Sequence, residues 1–489
     1  MEAADKPPVW QRLFQRKPEF ELSAWLLLRC LALIYLAAFA SLYVQIAGLA
    51  GPDGILSFER LLDRAYRTEG WLAWLQLPNL FWFNASALAL KAAALAGCVF
   101  SLLLLFNRWS QLSSIMLFVL YLSLYHAGQI FLSFQWDTLL LEAGFLAMFL
   151  VSGPTLWLIL LYEWLLFRFR FMSGLSKLLS GDPSWSDFSA LQHYFETQPL
   201  PHFGAWYAHQ LPAWLHQVGV GFTLFTELLV PFLIFMPRGW RITAALITIF
   251  MQVLIIATSN HAFVNLLVIA LCILLLDDRI IRRLLPTWLH NSGSNNSYQP
   301  GLLKSALSLV FGLLIVFVST TAFYMYASRS FLPEPVMKLD HWTQRWGIGH
   351  IYHIFPTMQT SRQELIIQGS HDGTDWQDYE FKFKPGAVSE KPGFIVPHHP
   401  RLDWMMWFVP TQSGRQLQWF RQFQNQLKKG SPAVLGLLAH NPFPDKPPRF
   451  LRVQAYNYQF STPQELETTG DWWQRDYIGL FPYVPPRRP

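Results

Sequence analysis

The run LLKSALSLVFGLLIVFVSTTAFYMY, residues 302–326, carries one charge, Lys304, near its start. The hydrocarbon core of a bilayer is crossed by roughly 20 apolar residues in a helix, so this run reads as a membrane span. Upstream of it the chain repeats the pattern. Apolar stretches at 23–46, 85–106, 111–132, 138–151, 155–171, 218–236, 242–258 and 263–276 make nine candidate spans with 302–326. Two of them, 138–151 and 263–276, are short enough to be tilted, re-entrant or buried among their neighbours. Downstream of residue 328 the composition becomes that of an ordinary water-soluble protein. The expected fold is therefore a polytopic α-helical membrane bundle of about nine spans, one or two of them possibly re-entrant, followed by a C-terminal β-rich α+β soluble domain.

Composition agrees. Of the 489 residues, 52% are apolar and only 14% charged, whereas soluble domains are nearer a quarter charged. The net charge of +6 accompanies no nucleic-acid motif and fits basic loops on one side of a membrane. The three cysteines, Cys30, Cys98 and Cys272, all fall in apolar stretches, so no disulfide is expected in the tail. No cleavable signal is expected, because residues 1–22 are polar and basic and the apolar run after them is too long.

The expected organisation is a cytoplasmic arm at 1–22, a membrane domain at 23–328 with external loops at 48–84 and 180–216, and an exoplasmic C-terminal domain at 329–489. The orientation comes from Arg108, Arg238, Arg241, Arg279, Arg282 and Arg283, which fall on one side with the basic arm if nine spans are real. Loss of one short span reverses the placement of the tail. The stretch 291–299 reads as a flexible linker. In the tail, 364–368 and 376–384 read as a strand–turn–strand unit and 450–460 as another strand, while 416–429 and 433–440 look helical.

Ionisable groups inside apolar spans are costly and therefore informative. The expected intramembrane network is Arg29, Asp137, Glu142, Glu163, Arg170, Lys177 and Glu227, with Arg168 beside it. In one helix, Glu163, Arg170 and Lys177 recur every seven residues and share a stripe. A salt-bridge lock between helices is the first reading; Lys177 as a base beside Glu142, Glu163 and Arg168 is the sharper one. Asp137 reads as a helix cap, and Glu142 needs a buried partner such as Arg29 or Arg168. His350 with His353, and His398-His399 before Asp403, have metal-like spacing but no supporting cluster, so neither metal nor cofactor is expected. No serine-hydrolase elbow or nucleotide loop is present. Trp404, Trp407, Trp472 and Trp473 are either core or a client-binding face.

Several of these segments resemble signatures of the lipase maturation factor family. They are Gln135-Trp-Asp-Thr-Leu-Leu-Leu-Glu-Ala-Gly144, Phe169-Arg-Phe-Met-Ser-Gly-Leu-Ser-Lys177, Gly181-Asp-Pro-Ser-Trp185 and Glu196-Thr-Gln-Pro-Leu-Pro201. In the tail they are Tyr379-Glu-Phe-Lys-Phe-Lys-Pro-Gly386, Pro397-His-His-Pro-Arg-Leu-Asp-Trp404, Gly430-Ser-Pro432, Asn441-Pro-Phe-Pro444 and Trp472-Trp473. The resemblance implies a multi-pass membrane protein, in animals of the endoplasmic reticulum and in a bacterium of the inner membrane. It would help secreted lipases or other exported proteins fold and assemble through a luminal C-terminal domain, with membrane lipids around it and no nucleic-acid partner. The cysteine-free tail departs from any thiol-exchange role. Residues 171–178 with Trp185 are also similar to a segment of the vitamin K-dependent gamma-glutamyl carboxylases. That likeness implies the alternative, a membrane enzyme acting on a lipid or quinone with Lys177 as base.

Overall fold

The computed structural model describes residues 9–290, 292 and 301–482. Most of the expected 291–299 linker, the start of the N-terminal arm and the last residues of the Pro-rich end lie outside the described residues.

Among the described residues, six helices are long and apolar enough to cross a membrane: α1 (Pro18–Tyr43), α2 (Ala87–Leu105), α3 (Ser110–Leu132), α6 (Ala213–Phe235), α7 (Arg238–Thr258) and α9 (Leu302–Ser328). The other three expected spans also form helices: α4 (Gln135–Leu150), α5 (Leu156–Leu179) and α8 (Val264–Leu275). Of these, α4 and α8 are short, and α5 is long but carries Glu163, Arg168, Arg170 and Lys177. Their burial explains why such sequences are tolerated. Every residue of α4 from Trp136 to Ala147 is buried, while α2, α6, α7 and α9 are mostly open on their outer faces. A helix apolar all round belongs in the middle of a bundle, and charges survive in the middle only where neighbours satisfy them. Helix ends follow local chemistry. Ser86 caps α2 by accepting from Ala89 N at 3.2 Å. Thr155 caps α5 by accepting from Leu158 N at 3.3 Å, just after the Gly153-Pro154 break.

The C-terminal region holds one small antiparallel sheet in the order β2-β1-β3-β4. Its strands are β1 (Arg362–Ser370), β2 (Gln377–Asp378), β3 (Phe450–Phe460) and β4 (Trp473–Leu480). Strands β1 and β3 pair along their length, with Leu365 opposite Ala455. The region is less β-rich than expected. The 376–384 segment leaves the sheet after Asp378, because the Asp403 carboxylate takes the Phe383 and Lys384 N–H groups at 2.8 and 3.1 Å, and a ladder needs those donors. The helix expected at 433–440 shrinks to Pro432–Leu435. Beyond it, Ala439 N and His440 O bond Glu380 instead. The helix expected at 416–429 forms as α10 (Gln418–Lys429).

A single apolar core runs through both halves. It joins Leu139 and Leu141 of α4 to Ile348, Tyr352, Trp404, Met405 and Phe423 of the C-terminal region. A second cluster packs Tyr194, Phe195 and Trp206 of the 180–216 loop against Tyr458, Phe460 and Trp473. The C-terminal region is therefore seated in the bundle and does not hang from it by a linker.

Candidate functional site

The site is the seam where C-terminal chain meets the inner helices, and its polar side chains are those the sequence singled out. Asp137 does not cap α4 with its side chain. Its carboxylate takes Arg401 Nη1 at 2.6 Å and Nη2 at 2.8 Å, and Tyr121 Oη at 2.6 Å. Asp137 is fully buried and Arg401 is 1% exposed. A fork-on-fork pair is the geometry in which burial of two charges is tolerated, and Arg401 Nη1 also donates to Phe131 O at 3.1 Å.

One helical turn on, Glu142 pairs with Arg168, one of its two expected partners. Its second oxygen accepts from Gly349 N at 2.9 Å, and Arg168 Nη1 donates to His350 O at 3.0 Å. The C-terminal chain can come this close because Gly347 and Gly349 sit at φ +72° and +77°, against Leu141 and Val318 respectively. A side chain at either place would meet both the strain of the left-handed region and a packed neighbour.

Arg29 belongs elsewhere. It donates to Leu104 O and Leu105 O at the C-terminal end of α2 and to Asn107 Oδ1 at 3.0 Å, where a cation meets the negative end of the helix dipole. The stripe on α5 divides. Glu163 faces Arg241 at 3.8 Å, whereas Arg170 and Lys177 both face Glu227, at 3.7 and 2.7 Å. Lys177 Nζ also donates to Ser173 O at 3.2 Å and Ile354 O at 2.9 Å, and it lies over the Trp185 ring. All three ammonium protons thus have acceptors. Lys177 acts as a bridging cation, and nothing in this arrangement favours it as a base.

Two glutamines complete the seam; sequence reasoning passed over Gln45 and quoted Gln135 only as the head of the 135–144 segment. Gln45 accepts from Arg401 N at 2.8 Å and donates to His399 O at 2.8 Å. Gln135 likewise accepts from His353 N and donates to His353 O. Each side-chain amide serves the incoming backbone as a neighbouring strand would. The signal was present for Arg401 and Gln135, which lie inside the quoted 397–404 and 135–144 segments; Gln45, at a helix end, carries none.

The histidine pairs hold no metal cluster among the described residues. His399 is buried among Phe134, Trp136 and Trp404 and receives Trp136 Nε1 at Nδ1, 3.3 Å away. Burial, with Arg401 and His398 nearby, holds its ring neutral, well below the usual histidine range. Burial pushes the Asp403 carboxyl up to about 6, against the two backbone donors already named. Burial also raises Glu364, but Lys384 and Arg362, at 2.8 and 2.5 Å, outweigh it and hold the carboxylate below its ordinary value. Arg362 then donates to the carbonyls of Glu196, Gln198 and Pro199, clamping the 180–216 loop to β1.

Trp404 and Trp473 are each 2% exposed and form core, which removes them from a client-facing surface. Trp407 and Trp472 are half-buried; Trp407 donates to Thr197 O at 2.6 Å and Trp472 packs on Trp206. Large aromatics buried between two layers serve packing first.

Fold and seam together define a multi-pass membrane protein whose C-terminal region is built into its helices. The model of the lipase maturation factor transmembrane domain matches residues 22–283, and that of the lipase maturation factor C-terminal domain matches residues 348–484. The chain belongs to the lipase maturation factor family. It is 33% identical to mouse lipase maturation factor 2, over 93% of this chain and 82% of the relative. It is also 33% identical to mouse lipase maturation factor 1, over 96% of this chain and 88% of the relative, and to Xenopus laevis lipase maturation factor 2, over 92% and 80%. No solved structure matches the chain.

Proposed function

We propose that this protein is a membrane-embedded maturation factor that assists the folding and assembly of secreted lipases. The observation that carries the reading is the match to both family domains in order, together with one-third identity over nearly the whole chain to proteins named lipase maturation factors. On this reading the client is met outside the membrane, in the lumen of the endoplasmic reticulum or in a periplasm. Charge supports that side. Lys17, Arg238, Arg241 and Arg279 gather at one end of the bundle, and basic groups mark the cytoplasmic face. The C-terminal region bonds the loops at the other end, through Gly54 O and Thr197 O among others. Six long apolar helices run between the two ends, with α4, α5 and α8 packed among them.

The client-facing surface on this reading is the aromatic rim near Trp472, formed by Phe203, Tyr207 and Phe394, which are exposed on one side and rest on buried His202 and Trp206 on the other. Exposed aromatics that cluster outside a core are typical of protein contact sites. The test is co-expression of the full chain with a secreted lipase in cells lacking their own factor. Secreted lipase activity should rise several-fold, and Tyr207→Ala with Phe394→Ser should weaken co-purification of the lipase without lowering the amount of folded factor. Lipase activity that is the same with and without the chain refutes the proposal.

A further inference from the structure

Beneath the seam, α5, α6, α7 and α8 enclose a cavity of about 90 Å³. Arg170, Lys177, Glu227, Gln252 and Asn265 are among the residues that line it. Two cations face one carboxylate, so the pocket carries one uncompensated positive charge. Two donors inside it are orphans. Gln252 is 3% exposed and its Nε2 has no partner, and Arg170, equally buried, leaves Nε unpaired. Unmade donors at that depth are costly, and a bound acceptor would relieve the cost.

From this we infer that the cavity binds the carboxylate of a long-chain fatty acid. The surplus charge asks for a monoanion, and the orphan N–H groups ask for acceptor oxygens. The two orphan N–H groups, one on α5 and one on α7, match the two oxygens of one carboxylate. The rest of the wall mixes apolar Phe169, Met251 and Val264 with the polar side chains of Ser173, Tyr194 and His261. Leu191, Thr223 and Ile255 at its edge are only half-buried, next to the open outer face of α7 at Val253 and Leu254. That edge gives an acyl chain a way out between α6 and α7 into surrounding lipid. The site uses the cations of the ion-pair network and requires no chemistry from them.

The experiment uses the purified full chain in phosphatidylcholine nanodiscs, without lipase, so its result is independent of the maturation role. A palmitate analogue with a photoreactive group in its chain is cross-linked and the labelled peptides are mapped. Labelling should saturate and concentrate on α6 and α7. Unlabelled palmitate should compete, and hexadecanol and lysophosphatidic acid should compete at least about tenfold more weakly. Gln252→Leu keeps every ion pair and should weaken capture about tenfold; Gln252→Glu, which places a carboxylate in the pocket, should abolish it. Equal competition by hexadecanol, labelling spread evenly over all lipid-facing helices, or no saturable labelling because the cavity holds water only, would each overturn the assignment. If the Gln252 variants fail to fold, the competition series on the parent chain decides alone.

Discussion

At the scale of single residues, the Asp137–Arg401 pair shows what a buried fork is worth and how it can be measured. Removing one partner leaves the other charged and dry, so Asp137→Ala and Arg401→Ala should each destabilise the protein by about 3–5 kcal/mol. The double variant should cost far less than the sum, read as thermal unfolding in detergent across a double-mutant cycle. Additive losses would show that the pair is not coupled. The titrating groups of the C-terminal region give a second prediction, with opposing signs. His399 is held below its unfolded value, so its contribution is present above about pH 6.5 and is lost as the pH falls through its depressed folded value. Asp403 is raised to about 6, so its contribution is present below about 3.8 and is lost as the pH rises through 6. Asp403→Asn retains one acceptor oxygen and removes that titration. Between pH 7.5 and 5 the parent should therefore gain about 1.4 kcal/mol over the variant. Parallel melting curves for the two proteins would exclude the effect. Glu142 with Arg168 was legible because both lie in adjacent short apolar stretches with few other charges to choose from. Arg401 was not legible as the partner of Asp137, because their contact spans 264 residues and no local pattern encodes it.

At the scale of elements, the long apolar helices were legible from hydropathy alone, because a lipid-facing helix has to be apolar along its whole length. The inner helices were harder. In α4, α5 and α8, length and purity are relaxed by neighbours, and no residue in the helix itself records that. The same logic blurred the tail, where side chains took backbone donors that the alternating pattern had assigned to a strand. Helix α9 offers the test at this scale. Its Gly312 lies against the Trp157 ring of α5, at 2.6 Å from the position a Cβ would take, while Trp157 Nε1 donates to Ser308 O at 3.0 Å. Gly312→Leu should force α9 away from α5 and cost about 1–3 kcal/mol, seen as a lowered melting temperature and faster proteolysis after Ser328. Gly239→Ala, where a Cβ meets nothing within 4 Å, is the control that should leave melting unchanged. Equal behaviour of the two variants would mean that the close approach contributes nothing.

At the scale of the whole molecule, the continuous core predicts that the halves do not separate. A chain ending at residue 330 keeps the six long helices but loses Arg401 for Asp137, Gly349 N for Glu142 and Ile354 O for Lys177. Such a chain should elute as aggregate by fluorescence-detected size exclusion; a monodisperse, protease-resistant product would show the halves to be independent. The partner charges also have an order in time. The ribosome delivers Asp137 and Glu142 to the membrane long before the residues that satisfy them, 264 and 207 positions later, exist. For that interval the nascent chain carries Asp137 without its cation among the inner helices, the form that membrane quality control is suited to notice. A protein of this design completes its core only at the end of synthesis, and a missense change near its C-terminus should be cleared as a defect of helices made tens of seconds earlier, at about 5–20 residues per second.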